Sequence, residues 1–257
     1  MTYLERIVDA HREVAAADLR SLDTLLDTAR ALPPVRGFTA TLSAREQIAL
    51  IAEIKRRSPS KGDFGQILDP AELAVAYAEG GASCLSVLTD VEFFGGSAAD
   101  LYDARQAVDL PVLRKDFTIS PLDVADARLM GADCVLLIAA VLDELELVEF
   151  HNLATTLGLD VLVEVHDEPE LERALQAGAT LVGVNQRDLV SFHVDSERAA
   201  RVGAAIPDGV VKVAESGIGN ADDVRRLADV GFDAVLVGET LVTAADPSSA
   251  ARELLAR

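Results

Sequence analysis

The stretch Leu129-Met130-Gly131-Ala132-Asp133-Cys134-Val135-Leu136-Leu137 decides how the chain folds, because its pattern occurs four times. The other copies are Ala78-Glu79-Gly80-Gly81-Ala82-Ser83-Cys84-Leu85-Ser86-Val87, Leu175-Gln176-Ala177-Gly178-Ala179-Thr180-Leu181-Val182-Gly183-Val184, and Leu227-Ala228-Asp229-Val230-Gly231-Phe232-Asp233-Ala234-Val235-Leu236. Each copy is a helix end, a glycine suited to the left-handed turn that stops a helix, and a β-rich apolar run. Gly81, Gly131, Gly178 and Gly231 are spaced by 50, 47 and 53 residues. One strand–helix unit needs about half that length, so each period should hold two units. The missing strands fall between the copies, at residues 49–55, 110–114, 160–164 and 210–214.

Eight short strands alternating with helices imply a parallel sheet. Helix starts are marked by Asp69-Pro70, Ser120-Pro121, Asp167 with Glu170, and Asn220. The twofold period favours closure into an α/β fold of the (β/α)8 TIM barrel type over an open doubly wound sheet. Gly217-Ile218-Gly219-Asn220-Ala221-Asp222 lacks the third glycine of a dinucleotide fingerprint. Residues 1–257 are therefore read as one barrel domain, with residues 1–48 as a helical extension. In it Leu4, Ile7, Val8, His11, Val14 and Ala15 keep helical spacing, and a second helix runs from about Ser21 to Pro33-Pro34. These helices should cover one end of the barrel or its side.

Bulk properties narrow the function. The chain has 257 residues, half of them hydrophobic, enough for a large core. Its net charge of −20 opposes binding to a phosphate backbone, so no nucleic-acid partner is expected. An anionic small molecule would need a local cationic pocket. The longest apolar run, Val135 to Leu142, is too short to span a bilayer, and Glu5, Arg6 and Asp9 do not suit a signal peptide. A cytoplasmic protein without a membrane partner is expected, a monomer or weak homo-oligomer. Cys84 and Cys134 lie in apolar segments and read as buried small hydrophobes rather than a disulfide or zinc ligands.

Only four of the 23 Lys and Arg residues are lysines: Lys55, Lys61, Lys115 and Lys212. Two of them end strands, where barrels keep their chemistry. An ammonium can shift its pKa and give up a proton, whereas a guanidinium cannot. The polar residues at the strand ends are Glu53 and Lys55, Lys115, Glu164, Asn185 and Arg187, Glu215-Ser216-Gly217, and Gly238-Glu239. Side chains two apart on a strand share a face, so Glu53, Lys55 and Lys115 should converge above Ile51 and Leu113. A solvated loop explains one such residue more easily than it explains all of them. Together they suggest acid–base chemistry on an anionic substrate. Ser216-Gly217 and Gly238-Glu239 suit a phosphate-binding turn, although ordinary tight turns would look the same. Ser58, with Arg56 and Arg57, would complete that cradle.

His11 and His151 read as surface or satisfied helix residues, and His193 as a loop residue. His166 lies just beyond Glu164, and a place in the site is the lesser expectation for it. No nucleophilic triad and no metal-ligand spacing is visible, so neither a metal nor a cofactor is expected.

These residues resemble the indole-3-glycerol phosphate synthase family. The resemblance rests on Ile51-Ala52-Glu53-Ile54-Lys55-Arg56-Arg57-Ser58-Pro59-Ser60-Lys61-Gly62, on Phe93-Phe94-Gly95-Gly96-Ser97, and on Val112-Leu113-Arg114-Lys115-Asp116-Phe117. It continues in Val163-Glu164-Val165-His166, Asn185-Gln186-Arg187-Asp188-Leu189 and Ala214-Glu215-Ser216-Gly217-Ile218. Gln186 departs from the second Asn usual in that family. Its side chain should alternate away from the site, with little effect.

The resemblance implies cofactor-free ring closure of 1-(o-carboxyphenylamino)-1-deoxyribulose 5-phosphate with loss of CO2 and water. It implies Lys115 as general acid, Glu164 as proton acceptor and donor with Lys55 assisting, and Glu53 orienting the lysines. Asn185 and Arg187 would position the aminobenzoate, and Glu215 and Ser216 the sugar chain. Ser58, Gly217, Gly238 and Glu239 would hold phosphate, with Phe94 and Phe117 as apolar walls. A lid over residues 58–64 is expected. Two rivals stand beside this reading. Phosphoribosylanthranilate isomerase would need a cysteine at a strand's C-terminal end, and both cysteines lie near strand starts. A non-catalytic phosphosugar-binding barrel could lose the strand-end acids and lysines, yet all are present.

Overall fold

In the computed structural model, eight parallel strands close into a barrel. The described residues are 2–44, 47–58, 62–64 and 69–256. Around the ring run β1 (Ala49–Ile54), β4 (Cys84–Leu88), β5 (Val112–Lys115), β6 (Cys134–Ile138), β7 (Asp160–Val165), β8 (Leu181–Asn185), β9 (Val211–Glu215) and β10 (Ala234–Val237), which pairs back with β1, while β2 (Arg57–Ser58) and β3 (Gly62–Asp63) form a separate antiparallel pair. All four glycine repeats behave as read. Gly81, Gly131, Gly178 and Gly231 have φ of 93°, 90°, 93° and 89°, each turning a helix end into a strand. A Cβ is disfavoured in that left-handed region, so glycine is the residue that fits.

The four expected caps also form. Asp69 accepts from the N–H groups opening α4 (Pro70–Glu79), and Ser120 forms a capping box on α6 (Pro121–Leu129). Asp167 accepts from Glu170 in α8 (Glu168–Gln176), and Asn220 caps α10 (Ala221–Asp229). The outer ring is completed by α5 (Ala98–Ala107), α7 (Glu144–Thr156), α9 (Arg198–Gly203), α11 (Glu239–Val242) and α12 (Pro247–Leu254).

Alternation of side chains splits the core in two. Residues such as Leu50, Ala52, Leu85, Val135 and Val163 face the helices, while Ile51, Leu113, Leu136, Leu162, Val213 and Leu236 fill the barrel. Cys84 and Cys134 sit in that inner cluster as buried thiols outside any disulfide, at the first positions of β4 and β6. Burial pushes the Cys134 thiol well up, which suits a packing role.

The N-terminal extension runs the length of the barrel. Helix α1 (Tyr3–Ala17) reaches the mouth, where Tyr3 packs edge-on against Phe93 and Phe192 and His11 bonds Asp90. Helix α2 (Leu22–Arg30) lies along α6, flanked by Arg20–Asp126 and by Arg128 to the carbonyls of Leu32 and Pro33. Sequence periodicity gives two helices here, but there is a third. Helix α3 (Phe38–Ser43) inserts fully buried Phe38 and Leu42 into the inner cluster and plugs the barrel's lower end. The extension thus covers the mouth rim, one side and the floor, rather than one end or the side alone.

Candidate active site

At the C-terminal ends of the strands lies a cavity of about 400 Å³, floored by Leu136, Ile138 and Leu236 of the inner cluster. Pairing register brings the acids together. Glu164 on β7 pairs with Gly183 on β8, and Asn185 on β8 pairs with Glu215 on β9. Gly183 clears space for its neighbour: a Cβ there would collide with Glu215 Oε1. Gly238 does the same for β1, since a Cβ would strike Glu53 Oε1 and meet Lys55 Nζ at 3.0 Å. Glycine at these two positions, one in β8 and one just after β10, lets long acidic side chains fold into a crowded rim.

Two linked charge clusters result. Lys55 Nζ donates to Glu53 Oε1 at 2.6 Å. Lys115 Nζ stands 3.7 Å from Glu164 Oε2 and 4.0 Å from Glu215 Oε2. Asn185 Nδ2 donates to Glu164 Oε1 at 3.1 Å, and Asn185 Oδ1 accepts the Arg187 N–H. Glu164 and Glu215 are only 1% and 2% exposed, and Lys115 gives both a nearby positive charge. Burial opposes the Lys115 ammonium, but Glu164, Glu215 and Glu53 outweigh it and hold its pKa above the usual value. Burial also works against the Glu53 carboxylate, yet Lys55 and Lys115 bring its pKa below normal. Burial, reinforced by the charge of Glu164, lifts Glu215 well above the carboxylate range. The site therefore favours a charged Lys115, the carboxylate form of Glu53 and the neutral form of Glu215.

All the singled-out residues line this cavity: Glu53, Lys55, Ser58, Phe94, Lys115, Phe117, Glu164, Asn185, Arg187, Glu215, Ser216, Gly217, Gly238 and Glu239. Ser216 and Gly217 follow β9 in consecutive left-handed conformations, with φ of 66° and 71°. Helix α11 opens at Gly238 without a side-chain cap, so its first N–H groups sit at the mouth where an anion can cap them.

Two expectations need correcting. Arg56 and Arg57 do not join the cradle: Arg56 forms a two-pronged pair with Asp100, and Arg57 donates to the carbonyls of Phe93 and Val91. Both guanidiniums clamp the β4–α5 loop, for which strongly basic groups serve well. Secondly, the pocket is not locally cationic among the described residues. Lys55, Lys115 and Arg187 share it with Glu53, Asp90, Asp116, Glu164, Glu215, Asp223 and Glu239. Pairing quenches much of this acidity, and burial favours the neutral form of Glu215. Asp116 accepts from Arg114, and Asp90 faces His11. Pro59, Ser60 and Lys61, three of the seven residues of the expected lid, lie outside the described residues. Gln186 turns away from the cavity as alternation expects, and its amide donates to the Ser216 carbonyl at 2.7 Å, propping the left-handed turn from behind.

Sequence reading also missed the aromatic rim and the histidine beneath it. Phe192 lines the cavity from the β8–α9 loop, where its φ of 59° gave no sequence signal. His11 Nε2 meets Asp90 Oδ2 at 2.9 Å and stacks 5.4 Å from Phe117, tying α1 to the cavity wall. His11, Asp90 and Asp116 bring ligand-type atoms within 4.8 Å of one another, a clustering hidden by their sequence separation. The carboxylates are already occupied by the N–H groups of Phe93 and Phe94 and by Thr89 and Arg114, so the trio reads as a tether.

The fold alone is shared widely. Thiamine phosphate pyrophosphorylase from Pyrococcus furiosus superposes with a TM-score of 0.60 at 20% identity, covering 80% of this chain and 93% of that one. A 3-hexulose-6-phosphate synthase does so with a TM-score of 0.60 at 18% identity, over 80% of this chain and 98% of that one. Sequence relatives are much nearer. An indole-3-glycerol phosphate synthase of a Nocardioides species is 52% identical over 247 residues, covering 95% of this chain and 92% of the relative. One from a Parafrankia species is 49% identical over 257 residues, covering 99% and 96%. The family profile for indole-3-glycerol phosphate synthase matches residues 4–254. On a mouth built of two lysines, three buried glutamates and an asparagine, and on a match along nearly its whole length, the chain belongs to the indole-3-glycerol phosphate synthase family.

Proposed function

We propose that this barrel converts 1-(o-carboxyphenylamino)-1-deoxyribulose 5-phosphate to indole-3-glycerol phosphate, releasing CO2 and water, as a carboxy-lyase of tryptophan biosynthesis. The observation that carries the proposal is Lys115, a charged ammonium held between Glu164 and Glu215 above an apolar floor. The aniline nitrogen of the substrate already pushes electrons to the attacking carbon, and CO2 loss restores the aromatic ring. The protein must fold the substrate, deliver protons and stabilise the developing oxyanion.

Lys115 is the general acid that protonates the ketone oxygen as the ring closes. Glu164 takes and returns protons in the later steps through dehydration, with Lys55 assisting, and Glu53 holds Lys55 by its 2.6 Å bond. Asn185 and Arg187 position the aminobenzoate and its carboxylate, between walls of Phe94 and Phe117, whose rings lie 6.4 Å apart. Glu215 and Ser216 contact the sugar chain. The phosphate is held by Ser58, Gly217, Gly238 and Glu239, the last two through backbone N–H groups of the uncapped α11 start.

The chain works as one unit, residues 1–257, with residues 1–48 as its helical extension. The Tyr3 and His11 contacts at the mouth and the α3 plug support that reading. A cytoplasmic monomer or weak homo-oligomer without a nucleic-acid partner fits the net charge of −20 and a mouth completed by one chain. No described helix is long and apolar enough to cross a membrane.

Appearance of indole fluorescence when the purified protein meets the carboxyphenylamino substrate tests the reaction. No fluorescence would sink it. Conversion of phosphoribosylanthranilate instead would favour the isomerase, which the buried, strand-start positions of Cys84 and Cys134 argue against.

A further inference from the structure

Glu164 is approached from behind by a histidine that does not line the cavity. His166 follows β7, and its Nε2 lies 3.6 Å from Glu164 Oε1 with no hydrogen-bond partner among the described residues. The other ring nitrogen is fixed: Nδ1 is 3.0 Å from Glu170 Oε2, which also accepts the His166 backbone N–H at 2.8 Å. An ionised carboxylate can only accept, so Nδ1 carries a proton. The charge on Nε2 is then the open question. A neutral ring would aim a lone pair at Glu164 in a nearly dry site, where the His166 side chain is 11% exposed. A charged ring would aim an N–H at it instead.

The groups facing this ring are Glu164 from β7, Glu170 from α8 and Arg198 from α9. Burial and Arg198 oppose the imidazolium, whereas the two carboxylates favour it and prevail, so the ring's pKa is raised. A separation of 3.6 Å is that of an ion pair rather than a hydrogen bond. The coupling is electrostatic, and it complements Lys115, which faces the other oxygen of the same carboxylate.

We propose that His166 is a positioning residue for Glu164: held through Nδ1 by Glu170, it turns Nε2–H toward Oε1 and favours the carboxylate that accepts the substrate's proton. His166 keeps its own proton throughout, and the transferred proton stays on Glu164 until it is returned. The inference rests on Glu164 as the proton acceptor of the reaction proposed above.

Two measurements separate this inference from that reading. Imidazole nitrogen spectra of the isotope-labelled, ligand-free protein follow His166 without turnover. Glu164→Gln should lower the His166 titration midpoint by about one unit, the least expected for losing an opposite charge at this range. An unmoved midpoint overturns the proposal. In steady-state kinetics, His166→Phe and His166→Gln should lower kcat about tenfold with KM within about twofold, and should move the acid limb of kcat up by about one unit. Glu170→Gln, which keeps the acceptor but not the charge, should move the limb the same way by less. A lower plateau with unmoved limbs would mean that His166 only packs. An inactive parent protein would sink the reaction, and the spectra would still decide the coupling.

Discussion

At Lys115 one atom holds two buried acids in check, 3.7 and 4.0 Å away. Lys115→Met should lower kcat by about 10²–10⁴ while the circular dichroism spectrum stays that of the parent. Near-normal turnover would remove Lys115 from the chemistry. Glu215 offers a test by stability. Its folded pKa is raised, so the unfolded chain loses this proton first, and folding must take it up again as pH climbs past the ordinary carboxyl value of 4.5. Stability therefore falls through that window, the reverse of a salt-bridged carboxylate. Glu215→Gln, which cannot ionise, should unfold at a higher temperature than the parent near pH 7 and have a weakened hold on substrate. A melting temperature below the parent's would show that the carboxyl stabilises the fold and that its proton is no burden. Such trade of stability for a strained polar site is common where function needs it.

The turn after β9 carries the next prediction, because it is an element held from outside itself. Ser216 occupies the left-handed region without being glycine, and Gln186 from the β8 end bonds its carbonyl. Gln186→Ala removes one buried hydrogen bond, worth about 0.5–1.5 kcal/mol net. KM should rise by about two- to tenfold with kcat held, as expected where a binding turn loosens but the proton-transfer groups stay. An unchanged KM would return Gln186 to the passive role that strand alternation gives it.

This turn also shows the reach of sequence reading. Alternation correctly turns Gln186 away from the cavity, but it says nothing of what lies on the far side. The same limit explains Arg56 and Arg57: their partners, Asp100 and the carbonyls of Val91 and Phe93, are set by how the β4–α5 loop folds back. The eight strands, the four glycine turns and the converging Glu53, Lys55, Lys115 and Glu164 were legible because each follows from a local period or spacing. Helix α3 was not. It has six residues and starts at an uncapped, left-handed Gly37, so only the barrel floor that buries Phe38 and Leu42 calls for it.

Over the whole molecule, the extension joins the barrel's floor to its mouth, and His11 is a titratable link between α1 and the cavity wall. Burial lowers its affinity for a proton, but the bond to Asp90 and the charges of Asp90, Asp116 and Asp123 prevail, and its pKa is raised above 6.5. A histidine with a raised folded pKa adds stability that is complete below the unfolded pKa and fades as pH rises through the folded one. Asp90 has the opposite slope: against burial, His11 and the N–H groups of Phe93 and Phe94 lower its pKa, so its contribution is present above 3.8 and lost below. Between those limits both partners are charged and α1 is pinned hardest. His11→Ala should therefore cost more stability at about pH 5.5 than at about pH 9, where the parent's ring is neutral. A difference of about 1 kcal/mol between the two would appear as roughly 2–4 °C in melting temperature for a chain of this size. Because the ring also lies against Phe117, the same variant should lose apolar hold on the substrate at both pH values, while His11→Phe should restore the hold but not the pH dependence. An equal loss of stability at both pH values would mean that α1 is seated by packing at Ile7 and Tyr3, and that the ion pair at the mouth is incidental.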